Sequence, residues 1–226
     1  MTNVIKKNMT TPFKIVSFDV GLKTCSVSIE IYDISSLPPS PPVKYLKGGE
    51  ATPEMRQYVL EVAKKGTIVH MDKKDLGDKK TFFSGHAFKN LYAWCGAMGE
   101  HVKDANVLLI EQQMKINNIA VALMYHLQAF FMITYPTLQI ILYPSKNKTR
   151  VIGAPLKVDK VGKDGVSKLV KVTKYQRKKW STLYAQTILT NREDQTWLKY
   201  IFETNKAKKD DLSDVIMQAL SYICNL

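Results

Sequence analysis

Two short apolar runs in this chain stop on a carboxylate, and that pattern restricts the fold more than any other. One is Ile15-Val16-Ser17-Phe18-Asp19-Val20-Gly21; the other is Val107-Leu108-Leu109-Ile110-Glu111-Gln112-Gln113. Runs of this length and composition read as strands. A strand that ends in an acid presents a negative group at the sheet, where burial without a cation is costly. A third acidic group, Lys209-Asp210-Asp211-Leu212-Ser213-Asp214, opens the last amphipathic segment. Helical spacing puts Asp211 and Asp214 on adjacent turns, and does the same for Asp210 and Asp214. The packed positions Leu212, Val215, Ile216, Ala219, Leu220 and Ile223 do not choose between them.

Carboxylates from two strands and a helix can converge on Mg²⁺, a hard ion that takes oxygen ligands. The chain is also basic, with a formal net charge of +13, and the charge is concentrated. Residues 144–180 hold twelve Lys and Arg against two Asp, while the rest of the chain is nearly balanced. A segment of that kind suits phosphates, because each neutralised phosphate releases a counterion. A solvated charge-rich loop is the plainer reading of the same stretch. Together, the acids and the basic segment suggest metal-dependent cutting of nucleic acid. Each acid also has a bland reading. Asp19 could be a turn residue before Gly21, and the aspartates at 210–214 could cap a helix and favour its dipole. Glu111, after four apolar residues, is hard to read as a buried spectator.

At 226 residues, the chain suits one α/β domain with a mixed sheet. Strands are expected at 14–20 and 26–34 as a hairpin, near 66–71, at 106–111 and at 138–143. Leu37-Pro38-Pro39-Ser40-Pro41-Pro42 marks a loop. Helices are expected between 84 and 104, over 116–134, from about 174, around Trp197 to Ile201, and at the end of the chain. The 116–134 helix has the strongest period, through Ile116, Ile119, Ala120, Leu123, Leu127, Phe130 and Phe131. Asp164-Gly165 could turn a basic hairpin within 151–173. Cys25, Cys95 and Cys224 read as buried free thiols, and none of the four histidines has ligand spacing. No apolar run is long enough to span a membrane, and Met1 to Pro12 lacks the apolar core of a secretion signal, so a soluble intracellular protein is expected.

The order Phe18-Asp19-Val20-Gly21, Ile110-Glu111-Gln112, then Asp211-Leu212-Ser213-Asp214 on a terminal helix resembles the RuvC-type Holliday junction resolvases of the ribonuclease H-like superfamily. Tyr175-Gln176-Arg177-Lys178-Lys179-Trp180-Ser181, after the strand at 138–143, is most similar to the poxvirus branch from large DNA viruses. The resemblance covers roughly 14–34, 106–150 and 174–224. It implies a single ribonuclease H-like domain over 1–226, a five-stranded mixed sheet flanked by helices, and insertions near 35–105 and 151–173. It further implies two Mg²⁺ ions, replaceable by Mn²⁺, held by Asp19, Glu111, Asp211 and Asp214, with Asp210 left as the helix cap. The implied activity is paired nicking of four-way DNA junctions to give 5′-phosphate ends, without a small-molecule cofactor.

Lysines at the site would stabilise the transition state; Lys146, Lys148, Lys174, Lys178 and Lys179 are candidates, and Lys178 is the first choice. Lys146, Lys148, Arg150, Lys174, Arg177, Lys178 and Lys179 are the expected DNA contacts. Tyr143, Tyr175 and Trp180 could stack on unpaired bases, although the spacing of Trp180 favours the helix core. A junction of near two-fold symmetry calls for a homodimer, with the 116–134 helix as a candidate interface. The expected setting is the cytoplasm or viral factory of an infected cell, with a mitochondrial setting as the lesser alternative. Three other functions compete: a ribonuclease H-like nuclease on RNA–DNA hybrids or other branched DNA, a cleavage-dead DNA-binding module, and an actin-like-fold phosphotransferase suggested by Phe18-Asp19-Val20-Gly21. The last lacks a second lobe and the glycine-rich phosphate loops.

Overall fold

The computed structural model describes residues 12–47, 49–161, 165 and 167–226. Most of the Met1–Pro12 segment and Asp164 of the expected turn therefore lie outside the described residues.

The first strand, β1 (Phe13–Asp19), turns back at Gly21 into β2 (Cys25–Tyr32). A loop and the helix α1 (Pro53–Ala63) lead to β3 (Gly66–Lys74). Thr52 caps α1 by accepting from the Met55 amide, with Pro53 in the first turn, where its missing N–H has no partner to lose. Next come α2 (Lys79–Phe83), α3 (His86–Ala97) and α4 (Gly99–Val102), then β4 (Val107–Gln112), α5 (Asn118–Thr134) and β5 (Gln139–Pro144). A single turn, α6 (Asn147–Arg150), precedes an outlying ribbon of β6 (Lys157–Val161) and β7 (Ser167–Lys171). The chain closes with α7 (Lys174–Asn191), α8 (Gln195–Lys199), a wide turn through Tyr200–Thr204, and α9 (Lys209–Ile223).

The main sheet runs β3-β2-β1-β4-β5, with an antiparallel meander on one side of β1 and parallel β4 and β5 on the other. Alternation along the central strands assigns their side chains to two cores. Ile15, Leu109 and Tyr143 face α1, α7 and α9, whereas Val16, Phe18, Leu108 and Ile110 face α3 and α5. Burial on both faces accounts for the nearly unbroken apolar runs of β1 and β4. A buried ion pair ties α7 to the sheet: Arg192 donates to Glu30 at 3.1 Å, to the Tyr32 hydroxyl at 3.0 Å and to the Ala63 carbonyl at 2.7 Å. The guanidinium passes so close to Gly66 that a β-carbon there would collide with it.

One expectation needs correction. Ile116 is not part of the α5 core face: Asn117 caps the helix by accepting from the Ala120 amide, and Ile116 lies outside it, 86% exposed. The helix is also apolar on both sides. Leu123, Leu127 and Phe131 are buried, while Tyr125, Met132 and Ile133 face outward. The three cysteines are buried and free. Among the described residues, no helix is long and apolar enough to cross a membrane.

Candidate active site

Strand alternation and register bring the first two acids together. Asp19 shares the face of Ile15 and Ser17, and Glu111 shares that of Val107 and Leu109, so both side chains point toward α9. Because Phe18 pairs with Ile110 in the parallel register, Asp19 and Glu111 end up beside each other. Their carboxyl groups are close enough to act on each other. Burial, reinforced by the Glu111 charge, pushes Asp19 well above the usual carboxylate range, against the pull of Lys148 and Lys178.

Helix α9 supplies the opposite wall. Gln218 donates to the Phe18 carbonyl at 3.2 Å and Ser221 to the Tyr143 hydroxyl at 3.0 Å, which seats the helix across the ends of β1 and β5. Asp214 lies on the same stripe, one turn before Gln218, and is buried. One of its oxygens accepts from the Ser181 hydroxyl of α7 at 2.9 Å, and the other accepts from Lys148 at 2.7 Å.

Lys148 is the centre of the arrangement. The turn α6, directly after β5, points it inward, and its ammonium lies 3.1 Å from Glu111 as well as 2.7 Å from Asp214. It is 9% exposed. Burial works against an ammonium there, but Asp214, Asp19 and Glu111 outweigh it and hold the group charged. One lysine thus balances part of the charge of three acids from β1, β4 and α9.

Asp211 sits nearer the rim. Burial, with Asp210 and Asp19 nearby, raises it to about 6, against Lys178 and Lys208, each 3.9 Å away. Asp210 was expected to cap α9 but does not; position 208 is the cap and makes no side-chain bond. Its carboxylate accepts from Lys178 at 2.6 Å. Burial pushes Asp210 upward, yet that hydrogen bond and the lysine charge prevail and hold it low. Lys178 is half-buried at the outer edge, while Lys148 lies at the heart of the cluster.

The remaining basic candidates, Lys146, Arg150, Lys174, Arg177 and Lys179, are exposed on α6, α7 and the turn before α6, with Arg150 over the Tyr45 ring at 5.6 Å. Tyr143 is buried and bonded to Ser221, so it cannot stack on a base. Trp180 stacks on Tyr184 and packs against the core. Tyr175 is open to solvent, 76% exposed. Ser181 and Gln218 had no assigned role in the sequence. Both are ordinary polar residues on helices, and only tertiary packing shows what they hold.

Among the described residues, no three Asp, Glu, His or Cys side chains stand close enough together to hold a metal ion as they are. The ammonium of Lys148 stands between Glu111 and Asp214 instead. The donor set nevertheless suits a hard divalent cation: every acid offers oxygen, and a cation already rests where their charges meet. The buried Ser26 hydroxyl, at the position paired with Asp19, makes no hydrogen bond and leaves a polar atom free beside it.

No family model matches the chain. It is 33% identical over 119 residues to uncharacterized protein 97L of Invertebrate iridescent virus 3, covering 53% of this chain and 48% of that protein. It is 35% identical over 127 residues to uncharacterized protein 170L of Invertebrate iridescent virus 6, covering 52% of this chain and 50% of that protein. The chain thus spans about half the length of the curated relatives it matches. Among solved structures, it is similar to Fowlpox virus resolvase in complex with Holliday junction DNA (TM-score 0.53, 15% identity, covering 93% of this chain and 97% of that one). RuvC of Thermus thermophilus in complex with its Holliday junction substrate gives a TM-score of 0.52 at 8% identity, covering 94% and 93%. The yeast mitochondrial Holliday junction resolvase Ydc2 gives 0.52 at 10% identity, covering 98% and 83%. The fold is shared with these resolvase structures: a mixed five-stranded sheet between two layers of helices.

Proposed function

We propose that this chain is a structure-selective endodeoxyribonuclease that resolves four-way DNA junctions by paired, metal-dependent hydrolysis, leaving 5′-phosphate ends. The observation that carries this reading is the acidic cluster assembled from β1, β4 and α9 around Lys148. Such a cluster, beside a dense basic stretch, suits phosphodiester chemistry better than phosphate binding alone. The resolvases that share the fold support the choice of substrate.

In this reading, Asp19, Glu111, Asp211 and Asp214 hold two Mg²⁺ ions, or Mn²⁺ in their place. When bound, the metal would supply a nucleophile at neutral pH and offset charge on the departing oxygen. Asp19 and Glu111 hold their side by adjacency on the sheet, and Asp214 is oriented by Ser181. Lys148 keeps a positive charge at the centre, where negative charge gathers on the phosphoryl oxygens in the transition state. Lys178, at the rim, approaches the same phosphate from outside. Lys146, Arg150, Lys174, Arg177 and Lys179 position the backbone without reading sequence.

A symmetric junction needs two matched sites, and the outward apolar stripe Tyr125, Ala129, Met132 and Ile133 on α5 offers a self-complementary surface for a homodimer. The iridescent-virus relatives support action in a virus-infected cell.

The deciding test is a labelled mobile four-way junction, assayed with and without Mg²⁺ beside linear duplex and RNA–DNA hybrid. Paired cuts in the junction, absent without metal and abolished by Asp19→Asn, are expected. Equal cutting of linear duplex would refute the junction assignment, and preferential cutting of the hybrid would move the reading to a ribonuclease.

A further inference from the structure

The ribbon β6–β7 stands apart from the body of the protein. Among the described residues, its two strands pair with each other and with no other strand. Every described residue in it is exposed except Val158 and Val170, a half-buried cross-strand pair. Its feet are fixed: Val151, Ile152, Ala154 and Val172 are buried, and the Val172 amide bonds to the Leu156 carbonyl at 3.1 Å. The same feet lead straight to the acidic site, because Lys148 lies nine positions before β6 and Lys178 seven positions after β7.

The charge pattern of the ribbon is costly for an isolated hairpin. Lys157 pairs directly with Lys171, and Lys160 with Lys168. Like charges directly opposite each other destabilise a strand pair. Among the described residues, no acid forms an ion pair with any of the four; Asp159 accepts from Ser167 instead. Alternation then separates the two pairs. Positions 157 and 160 are an odd number apart, so one lysine pair lies on each face of the ribbon. Val161 and Leu169, each 67% exposed, add apolar surface between the charges.

A flat anionic surface would attract one face and leave the other unrelieved. A groove walled by phosphates on both sides relieves both at once. The major groove of B-DNA is about 12 Å wide and admits a two-stranded ribbon. Five residues per strand, at about 3.4 Å each, give a reach of about 17 Å from the feet.

We propose that β6–β7 inserts into the major groove of a duplex DNA arm beside the acidic site, with Lys157 and Lys171 on one phosphate wall and Lys160 and Lys168 on the other. The inference rests on the nuclease reading for its choice of DNA, but not for its test.

The experiment is fluorescence anisotropy of the full chain, without divalent metal, on a linear duplex and on a four-way junction between 50 and 200 mM salt. Wild type is compared with the quadruple variant Lys157→Gln, Lys160→Gln, Lys168→Gln, Lys171→Gln. Each lysine on a phosphate contributes about 0.9 to the slope of log affinity against log salt. The variant should therefore lose about 3 to 4 from that slope on both DNAs and bind at least tenfold more weakly at low salt. Its thermal midpoint should equal or exceed that of wild type, since two repulsive pairs are gone. An unchanged slope in a variant that melts like wild type would overturn the ribbon assignment, as would a variant that changes oligomeric state and not DNA affinity. A wild type that binds duplex through these lysines in this assay, but cuts no junction when Mg²⁺ is then supplied, would leave the ribbon standing and remove the nuclease reading.

Discussion

Replacing Lys148 by methionine keeps most of the side-chain volume and removes the charge at the centre of the acidic cluster. Glu111 and Asp214 then lose a cation 3.1 and 2.7 Å away, and Asp19 loses the lysine charge that acts on it most strongly. Both salt-bridge partners are almost wholly buried, so water cannot make up the loss. Removing one member of a buried pair typically costs about 3–5 kcal/mol. For a domain of this size, each kcal/mol moves the melting midpoint by about 2–4 °C. The expected fall is therefore roughly 6–20 °C at pH 7.5 in a chelator. The difference should narrow as pH falls and Asp19, held well above the usual range, takes up its proton and needs no cation. Added Mg²⁺ should raise the midpoint of the variant more than that of wild type, because the ion no longer competes with an ammonium. Thermal unfolding followed by circular dichroism across pH, with and without Mg²⁺, reads all three outcomes. A variant within about 2 °C of wild type in chelator at pH 7.5 would refute the claim that Lys148 is the counter-charge of the cluster.

Asp211→Asn should stabilise the metal-free protein. The wild-type group rises from 3.8 to about 6 on folding, a shift worth about 3 kcal/mol at most and about 1–2 kcal/mol after allowance for its partial exposure. Because the folded state holds the proton more tightly, wild-type stability falls as pH rises from about 4 to about 6; the gain from asparagine should be present at pH 7.5 and absent at pH 4 in urea titrations. Arg192→Met leaves Glu30 fully buried with only hydroxyl partners, and should cost about 3–5 kcal/mol in the same titrations without altering metal binding measured by calorimetry. If the outward face of α5 forms the dimer, Ile133→Asp should yield a monomer in sedimentation equilibrium while retaining the wild-type circular dichroism spectrum; an intact dimer would move the interface elsewhere.

The parts of the site that could be read from the sequence are those set by local periodicity. Asp19 and Glu111 end apolar runs that read as strands, but runs buried on both faces do not show which face a side chain takes; the shared face and the pairing of β1 with β4 had to come from the structure. The choice between Asp210 and Asp211 was open for a physical reason: both lie at helical spacing from Asp214. The resemblance separated Asp210 from the site but gave it the wrong task, because the lysine that engages it arrives from α7, 32 residues earlier. Helix α1 is legible in the sequence although it is absent from the expected elements. Thr52-Pro53 is a helix start, and Met55, Tyr58, Val59 and Val62 follow at helical spacing.

Lys148 illustrates the opposite limit. Nothing within Ser145-Lys146-Asn147-Lys148-Thr149-Arg150 distinguishes it from its basic neighbours, and a lysine in a polar stretch is ordinarily solvated. Its burial depends on Glu111 and Asp214, which stand 37 positions before and 66 positions after it. A one-turn helix after β5 determines which of the three basic residues points inward. Lys146 and Arg150 fall on the outer side of that turn. The same geometry explains why the acids surround an ammonium in the protein alone. Three strand- and helix-borne carboxylates drawn together would repel one another, and a tethered cation lets them assemble. The arrangement also carries a cost. An ion bound by these acids must share them with Lys148 or displace it, so metal affinity should be lower than four carboxylates alone would give. In the proposed reaction, that same lysine would stay charged and close to the phosphate.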